Sequence, residues 1–198
     1  MDDDGLAGFV AEGAGGVMSG RALFLDRDGV VNEEVGYLHR TEEVRFVDGI
    51  FSLCGTAAGL GYRLIVVTNQ AGIARGYYSE ADFEKLTEFM NVQLRAERVV
   101  LDAVYYCPFH PDGVGKYKRE HEDRKPGTGM LRRGAREFGV DLSASVMVGD
   151  RCSDVGAANA AGLLQMFLIS GTEAAECGGE YMKVESLAEV ERWLEERG

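Results

Sequence analysis

Short apolar runs alternate along this chain with segments in which apolar residues recur every three or four positions. The apolar runs predict β-strands at residues 22–26, 63–69, 103–107, 145–149 and 165–169. The periodic segments predict helices at residues 79–96 and 128–138, another from a Ser153 cap through Ala161, and a last one after Ser186. Such alternation indicates parallel strands in a sheet covered on both faces. The predicted fold class is α/β, a doubly wound, Rossmann-like, mainly parallel sheet with helices on both faces.

Two carboxylates follow the first of these strands directly, in the tetrad Asp26-Arg27-Asp28-Gly29. Side chains two residues apart in an extended segment point the same way, so Asp26 and Asp28 can share one small site. One could attack an electrophile while the other handles protons. The alternative is an ordinary Asp-Gly turn after a strand, so the later segments must decide between the two.

Three more groups follow in order along the chain: the hydroxyl of Thr68, then Lys125, then a second acid group, Asp150 with Asp154. The hydroxyl and the acid group stand at strand ends. In open α/β sheets, ligands bind beyond the carboxyl ends of the strands. Asp154 either accepts from Lys125 or from a metal-bound water, or is only an acid favoured at a helix N-terminus. The ordered set resembles the haloacid dehalogenase (HAD) phosphohydrolase superfamily.

That resemblance implies roles for each group. Asp26 would attack phosphorus to form an aspartyl-phosphate, and Asp28 would protonate the leaving oxygen and later deprotonate water. Thr68 and Lys125 would hold the phosphoryl oxygens. A magnesium ion would be bound by Asp26, the backbone carbonyl of Asp28, and Asp150, since Mg²⁺ prefers a few oxygen ligands plus water and phosphate.

Longer segments narrow the resemblance to the D-glycero-D-manno-heptose 1,7-bisphosphate 7-phosphatase family. They cover residues 26–32, 68–76, 106–108 and 124–126, and the whole similarity runs over about residues 21–170. Histidinol-phosphate phosphatases share nearly all of these motifs. The chain between the first two strands is too short for a separate lid, so the resemblance implies a member without a cap domain.

The family's substrate-contacting segments correspond here to Glu34, Tyr37, Asn69, Gln70, Arg124 and Arg151. A guanidinium binds phosphate bidentately, so Arg124 suits the distal phosphate of a bisphosphate, unless it holds a loop carboxylate instead. Histidinol phosphate carries an amine that Arg124 would repel and that an acidic Glu33-Glu34 loop would suit. We therefore favour heptose bisphosphate as the substrate, with histidinol phosphate as the alternative. A phosphosugar-binding protein without turnover is a third reading, although no catalytic position is replaced.

A loop before Lys125 departs from the family. Many members carry a zinc ribbon, Cys-x-His followed by Cys-x-Cys. Here Cys107 is present, Phe109 stands at the histidine position with His110 after it, and the closing pair is His121 and Asp123. Cys107, His110, His121 and Asp123 could still bind zinc as four tetrahedral ligands. The alternative is a zinc-free loop held by packing and charge pairs.

Composition limits the remaining possibilities. The 198 residues suit one domain, here residues 21–198 after an expected disordered tail at 1–20. A net charge of −12 argues against a nucleic-acid partner, and no stretch is long and apolar enough to span a membrane. Four cysteines without a Cys-x-x-Cys pair indicate a reducing compartment. We expect a cytoplasmic monomer that acts on a small phosphorylated sugar.

Overall fold

A computed structural model describes residues 9–10, 20–169 and 176–197. The strands are β1 (Phe9–Val10), β2 (Arg21–Leu25), β3 (Tyr62–Asn69), β4 (Ala103–Cys107), β5 (Val146–Gly149), β6 (Gln165–Ile169) and β7 (Met182–Val184). The α-helices are α1 (Ile50–Gly59), α2 (Ala71–Ala74), α3 (Glu80–Ala96), α4 (Gly129–Phe138), α5 (Cys152–Ala161) and α6 (Leu187–Glu195). Short 3₁₀ helices lie at Thr41–Glu43, Gly115–Tyr117 and Leu142–Ala144.

One sheet contains all of these strands, in the order β1-β4-β3-β2-β5-β6-β7. β2 to β7 are parallel, and only β1 pairs antiparallel, with β4. The α/β fold class and all five predicted strands are thus confirmed. β1 falls within the expected tail, and most of residues 1–20 lie outside the described part of the chain, so the tail stays a prediction.

The central strand β2 is buried on both faces, because alternate residues enter two different cores. Leu23 and Leu25 pack into the larger one with α1, α3 and α6. Ala22 and Phe24 pack into the other with α4 and α5. Such burial explains why this strand reads as an uninterrupted apolar run. The sheet order changes direction beside β2, which has β3 on one side and β5 on the other. This switch point is where a doubly wound sheet opens a crevice.

Side-chain capping is seen at the start of α3, and the predicted cap of α5 needs a correction. The hydroxyl of Ser79 accepts from the backbone N–H of Asp82, and the Asp82 carboxylate accepts from the backbone N–H of Ser79, a capping box for α3. Ser153 was expected to cap α5, and this is wrong: α5 already begins at Cys152. The side chain of Asp154 accepts from the backbone N–H of Arg151 at 3.1 Å and so satisfies the helix start.

A disulfide joins Cys152 at the start of α5 to Cys177 in the connection before β7. The sequence had suggested reduced cysteines, because no two stand in a Cys-x-x-Cys pair. The fold instead brings together two cysteines that are 25 residues apart. Cys54 and Cys107 are free and buried. Among the described residues, no helix combines the length and the apolar character needed to cross a membrane.

Candidate active site

A pocket of about 590 Å³ opens at the carboxyl ends of β2, β3 and β5. Its walls are residues of the strand ends and of the loops that follow them: Asp26, Asp28, Glu34, Gly36, Tyr37, Thr68, Asn69, Gln70, Ala71, Gly72, Arg75, Tyr78, His110, Arg124, Lys125, Arg151 and Ser153. All the predicted catalytic and substrate-binding residues line this pocket. Of the predicted magnesium ligands, Asp150 is not part of the pocket wall but lies next to Asp26.

Lys125 is a buried cation that contacts two aspartates of the site. Its Nζ lies 2.9 Å from Oδ1 of Asp26 and 2.6 Å from Oδ1 of Asp154, and it also donates to the carbonyl oxygen of Val67 at 2.8 Å. Burial alone would lower the pKa of Lys125, but Asp154 and Asp26 outweigh burial and raise it. Lys125 therefore stays charged and fixes the position of the Asp26 carboxylate. Asp154 is fully buried and serves as the second anchor of Lys125.

Asp26 lies in a strongly acidic environment. Burial, followed by the neighbouring carboxylates of Asp154 and Asp150, raises the pKa of Asp26 to about 8, although Lys125 opposes the shift. Lys125 and Arg151, whose Nε lies 3.8 Å from Oδ1 of Asp150, face three buried carboxylates, so the fully ionised site carries an excess of negative charge that a further cation would balance.

The donor set suits magnesium. Asp26, Asp150 and Asp154 can each offer a carboxylate oxygen within 4.8 Å of the others, and Mg²⁺ prefers carboxylate oxygens. Gly29 makes this arrangement possible. It has φ +84°, and a Cβ on it would overlap the Asp150 carboxylate. Only glycine combines that conformation with so close an approach.

Asp28 is held by side-chain donors on several sides. Arg27 donates to both of its oxygens at 2.9 Å, Asn32 donates at 3.0 Å and Gln70 at 3.1 Å. Burial would raise the pKa of Asp28, but the Arg27 charge and these hydrogen bonds hold it below its ordinary value. Asp28 is therefore ionised in this arrangement, the form that can deprotonate water. An approaching phosphate dianion would raise the same pKa and favour protonation.

Two neighbours of Thr68 contact protein groups within the pocket. Thr68 is buried, and its Oγ1 accepts from Nε2 of Gln70 at 2.8 Å. The side-chain amide of Asn69 donates to the carbonyl oxygen of Lys125 and accepts from the Lys125 backbone N–H, both at 3.0 Å. Asn69, expected to contact substrate, thus uses both ends of its amide to position the loop that carries Lys125.

The loop that follows β2 crosses the pocket mouth and is attached on both sides. Oε2 of Glu34 pairs with Nη2 of Arg151 at 2.9 Å. The hydroxyl of Tyr37 accepts from Nη1 of Arg75, whose guanidinium also lies 5.8 Å from the Tyr37 ring centre. Glu34, Tyr37 and Arg151, all predicted substrate contacts, are therefore brought together at the entrance.

Three basic residues, Arg75, Arg124 and His110, form one wall of the pocket. Arg124 donates to the carbonyl oxygen of Phe109 at 3.3 Å, and Arg75 donates to Tyr37. Within the described residues, neither guanidinium forms an ion pair with a carboxylate. Burial, and then Arg124 and Arg75, lower the pKa of His110, while burial and Arg75 lower that of Arg124. Like charges gathered in a pocket of an acidic protein indicate an anion subsite.

The candidate zinc ligands are not assembled. Among the described residues, the set within 4.8 Å of one another is the aspartate group, and Cys107, His110, His121 and Asp123 do not form another. The ring of Phe109 stacks on His121 at 4.6 Å, and Nδ1 of His121 accepts from the backbone N–H of Asp123. Burial raises the pKa of the Cys107 thiol to about 11, which disfavours the thiolate that binds metal.

Sequence reasoning indicated no catalytic or substrate-binding role for four residues of this site. Arg27 stands between the two acids, and Arg75 ends the Gly-Ile-Ala-Arg stretch, so both were inside recognised motifs. His110 was considered only for zinc. Nothing in the sequence pointed to Tyr78, because its role depends on its contact with Gln70. Each contributes through a contact between loops, which a linear motif does not display.

Comparisons with known proteins agree with this geometry. A family model described as HAD-hydrolase-like matches residues 122–189. A Burkholderia mallei protein named D-glycero-alpha-D-manno-heptose-1,7-bisphosphate 7-phosphatase is 50% identical over 159 residues, 80% of this chain and 84% of that protein. A Haemophilus influenzae protein named for the beta anomer is 45% identical over 135 residues, 68% and 73% of the two chains.

A solved structure is also similar. It is that of D,D-heptose 1.7-bisphosphate phosphatase from B. bronchiseptica complexed with magnesium and phosphate. It superposes with a TM-score of 0.79 at 28% identity and covers 90% of this chain and 99% of that one.

Proposed function

The chain belongs to the D-glycero-D-manno-heptose 1,7-bisphosphate 7-phosphatase family of HAD-like hydrolases, and we propose that it removes the 7-phosphate of D-glycero-D-manno-heptose 1,7-bisphosphate. The observation that carries the proposal is a pairing within one pocket. Asp26, bound by Lys125 inside an acidic group, faces the same cavity as Arg75 and Arg124, which have no carboxylate partners among the described residues. One end can transfer a phosphoryl group while the other binds a second anion.

The first chemical step falls to Asp26. Its carboxylate forms a bond to phosphorus as the bond between phosphorus and the O-7 oxygen breaks, giving an aspartyl-phosphate. Asp28 delivers a proton to O-7, so the sugar leaves as an alcohol. Lys125 and the Thr68 hydroxyl donate to the phosphoryl oxygens, where negative charge is concentrated in the transition state.

The second step restores the enzyme. Asp28, now ionised, removes a proton from a water molecule, and that water attacks the phosphorus of the aspartyl-phosphate. The bond between phosphorus and the Asp26 oxygen breaks, and inorganic phosphate leaves. The hydrogen bonds from Arg27, Asn32 and Gln70 favour the carboxylate form of Asp28 that this step requires.

Magnesium would be held by Asp26, the backbone carbonyl of Asp28, and Asp150. When bound, it supplies positive charge that lowers the repulsion between an anionic nucleophile and an anionic phosphate. Zinc is not part of this proposal, because its candidate ligands do not come together as one set among the described residues.

The basic wall supports a bisphosphate over histidinol phosphate. Arg75 and Arg124 would meet the 1-phosphate of the heptose with charge-assisted hydrogen bonds, and His110 would add a further hydrogen bond, whereas the two guanidinium groups would repel an amine. The acidic loop that could suit an amine is compensated, because Glu34 pairs with Arg151. The resting contacts of Arg124 with a carbonyl and of Arg75 with a phenol are ones that a phosphate can replace.

The experiment is a measurement of phosphate release, with magnesium, from both anomers of the heptose bisphosphate and from histidinol phosphate. We expect kcat/KM for one heptose anomer to exceed that for histidinol phosphate by at least two orders of magnitude. A preference for histidinol phosphate would overturn the substrate assignment. Binding of the bisphosphate without phosphate release would show a binding protein instead.

We place this reaction in the cytoplasm and in a monomer. The Cys152–Cys177 disulfide is unusual in a reducing compartment, so counting free thiols in protein extracted under acid quench tests the first point. Light scattering of the purified chain tests the second.

A further inference from the structure

Tyr78 is a pocket residue that the proposed mechanism does not use. It is 7% exposed, and its ring stacks parallel to His39 at 5.4 Å. A Cβ on Gly72 would overlap the Tyr78 ring, so a glycine is needed where the phenol crosses the start of α2. Its hydroxyl donates to Oε1 of Gln70. The ring is thus fixed from several sides with its hydroxyl on one atom of another pocket residue.

That contact determines which way the Gln70 amide faces. With Oε1 bound to Tyr78, Nε2 donates to Oγ1 of Thr68 at 2.8 Å and to Oδ2 of Asp28 at 3.1 Å. A flipped amide would place its carbonyl oxygen against the Asp28 carboxylate, where two acceptors repel. Burial raises the pKa of the Tyr78 hydroxyl, so Tyr78 remains a donor at neutral pH. Gln70 itself is 2% exposed, so water does not readily replace these partners.

The direction of these hydrogen bonds determines where the Thr68 hydroxyl can donate. Because the Thr68 oxygen accepts from Gln70, the hydroxyl proton of Thr68 is left to donate elsewhere, and the pocket lies on its open side. A hydroxyl whose oxygen already accepts a hydrogen bond is also a stronger donor. We propose that Tyr78 is a positioning residue that fixes the Gln70 amide and thereby directs the Thr68 hydroxyl proton towards the transferred phosphoryl group. This inference rests on the proposed function.

The test is a double-mutant cycle of Tyr78→Phe, Gln70→Met and their combination. Tyr78→Phe removes only the hydroxyl, and Gln70→Met removes the amide at similar volume. We expect Tyr78→Phe to lower kcat/KM about tenfold in the wild type and to have no further effect with Met at position 70. The exposed neighbour substitution Tyr77→Phe, with unchanged activity, is the matched control.

A purely structural role would give a different result. Tyr78→Phe would then lower kcat/KM by the same factor in both backgrounds, with a parallel loss of Tm, and this would overturn the proposal. Gln70→Glu is a second check, since it places a carboxylate against Asp28 and should lower turnover more than Gln70→Met. Reversal of that order would also contradict the assignment.

The cycle is run on p-nitrophenyl phosphate as well as on heptose bisphosphate. The positioning acts on the phosphoryl group and not on the sugar, so coupling should be equal for both substrates. Turnover of p-nitrophenyl phosphate alone would refute the proposed substrate, while the coupling still decides the role of Tyr78. If the enzyme turns over neither substrate, the same double-mutant cycle is applied to the affinity for inorganic phosphate in the presence of magnesium. Additive effects of the two substitutions on that affinity would overturn the proposal.

Discussion

Asn69 and Lys125 are joined by two hydrogen bonds: the Asn69 amide nitrogen donates to the Lys125 carbonyl oxygen, and the Lys125 backbone N–H donates to the Asn69 amide oxygen. Asn69 is the last residue of β3, and Lys125 lies on a loop with no strand to support it. The pair therefore transfers the rigidity of the sheet to that loop. From this fixed backbone, the Lys125 side chain contacts both Asp26 and Asp154.

Asn69→Asp should weaken catalysis without unfolding the chain. The aspartate can still accept from the Lys125 N–H, but it has no donor for the Lys125 carbonyl and repels that oxygen. Displacement of Lys125 by a fraction of an ångström should lower kcat about ten- to a hundredfold. Steady-state kinetics checks this, with Asn91→Asp on α3 as the same change outside the pocket. An unchanged kcat in the first variant would remove Asn69 from the positioning of Lys125.

Gly29→Ala separates backbone strain from loss of the metal site. Both Gly29 (φ +84°) and Gly61 (φ +83°) are left-handed, but only at Gly29 would a Cβ overlap Asp150, and nothing lies within 4 Å at Gly61. Each alanine should cost about 1 kcal/mol of unfolding free energy from strain. Only Gly29→Ala should weaken magnesium binding, by at least tenfold, as measured by calorimetry. Equal magnesium affinity in both variants would refute the close contact with Asp150.

Magnesium should stabilise the fold more at pH 8 than at pH 5. Without metal, the pKa of Asp26 is raised from 3.8 to about 8 in the folded state. The folded chain then binds more protons than the unfolded chain between these values, so the free energy of unfolding falls as pH rises. A bound cation favours the ionised form and reverses this loss. Thermal unfolding with magnesium and with EDTA, at both pH values, measures the difference.

Asp26→Asn provides the control for that pH effect. Asparagine keeps the shape but does not titrate, so the gain from magnesium should become smaller and nearly independent of pH. Turnover should be abolished in the same variant, because the amide is not a nucleophile. If magnesium stabilised the unsubstituted chain equally at both pH values, this would contradict the acidic environment described for Asp26.

Reduction of the Cys152–Cys177 disulfide should destabilise the chain by about 3.5 kcal/mol, the value for a loop of this length. Asn159 also holds this connection, through two hydrogen bonds of 2.9 Å with the backbone of Glu180, so the segment should stay docked. Urea unfolding with and without a dithiol reductant measures the change. The Cys177→Ser variant should not respond to the reductant, and a response there would assign the effect to another group.

Most of the site was predictable because its chemistry lies at strand ends. Asp26, Thr68 and Asp150 each follow an apolar run, and a parallel sheet necessarily gathers such positions at one edge. The strand bounds were within a residue for the same reason, since burial on both faces leaves a clear apolar pattern. Lys125 could be predicted only from its motif, because its position depends on the contact with Asn69.

What escaped prediction depends on contacts between distant segments. The start of α5 was misplaced because Arg151 occupies the cap position and the Asp154 side chain accepts from its backbone N–H, whereas in the linear sequence Ser153 is the residue type that usually caps a helix. The disulfide could not be predicted because it depends on β6, which brings the chain back beside α5. The zinc set had suitable residue types, but the stacking of Phe109 on His121 shows a loop organised by packing.

Removal of either pocket arginine should lower the turnover of the bisphosphate and leave the turnover of a monophosphate nearly unchanged. Arg75→Met and Arg124→Met each delete a charge-assisted contact worth about 1.5–3 kcal/mol, so kcat/KM for heptose 1,7-bisphosphate should fall about ten- to a hundredfold. Heptose 7-phosphate lacks the distal anion, and its kcat/KM should change less than threefold. Arg132→Met, at an exposed position of α4, is the control. Equal losses on both substrates would mean that Arg75 and Arg124 support the pocket and do not select for a second phosphate.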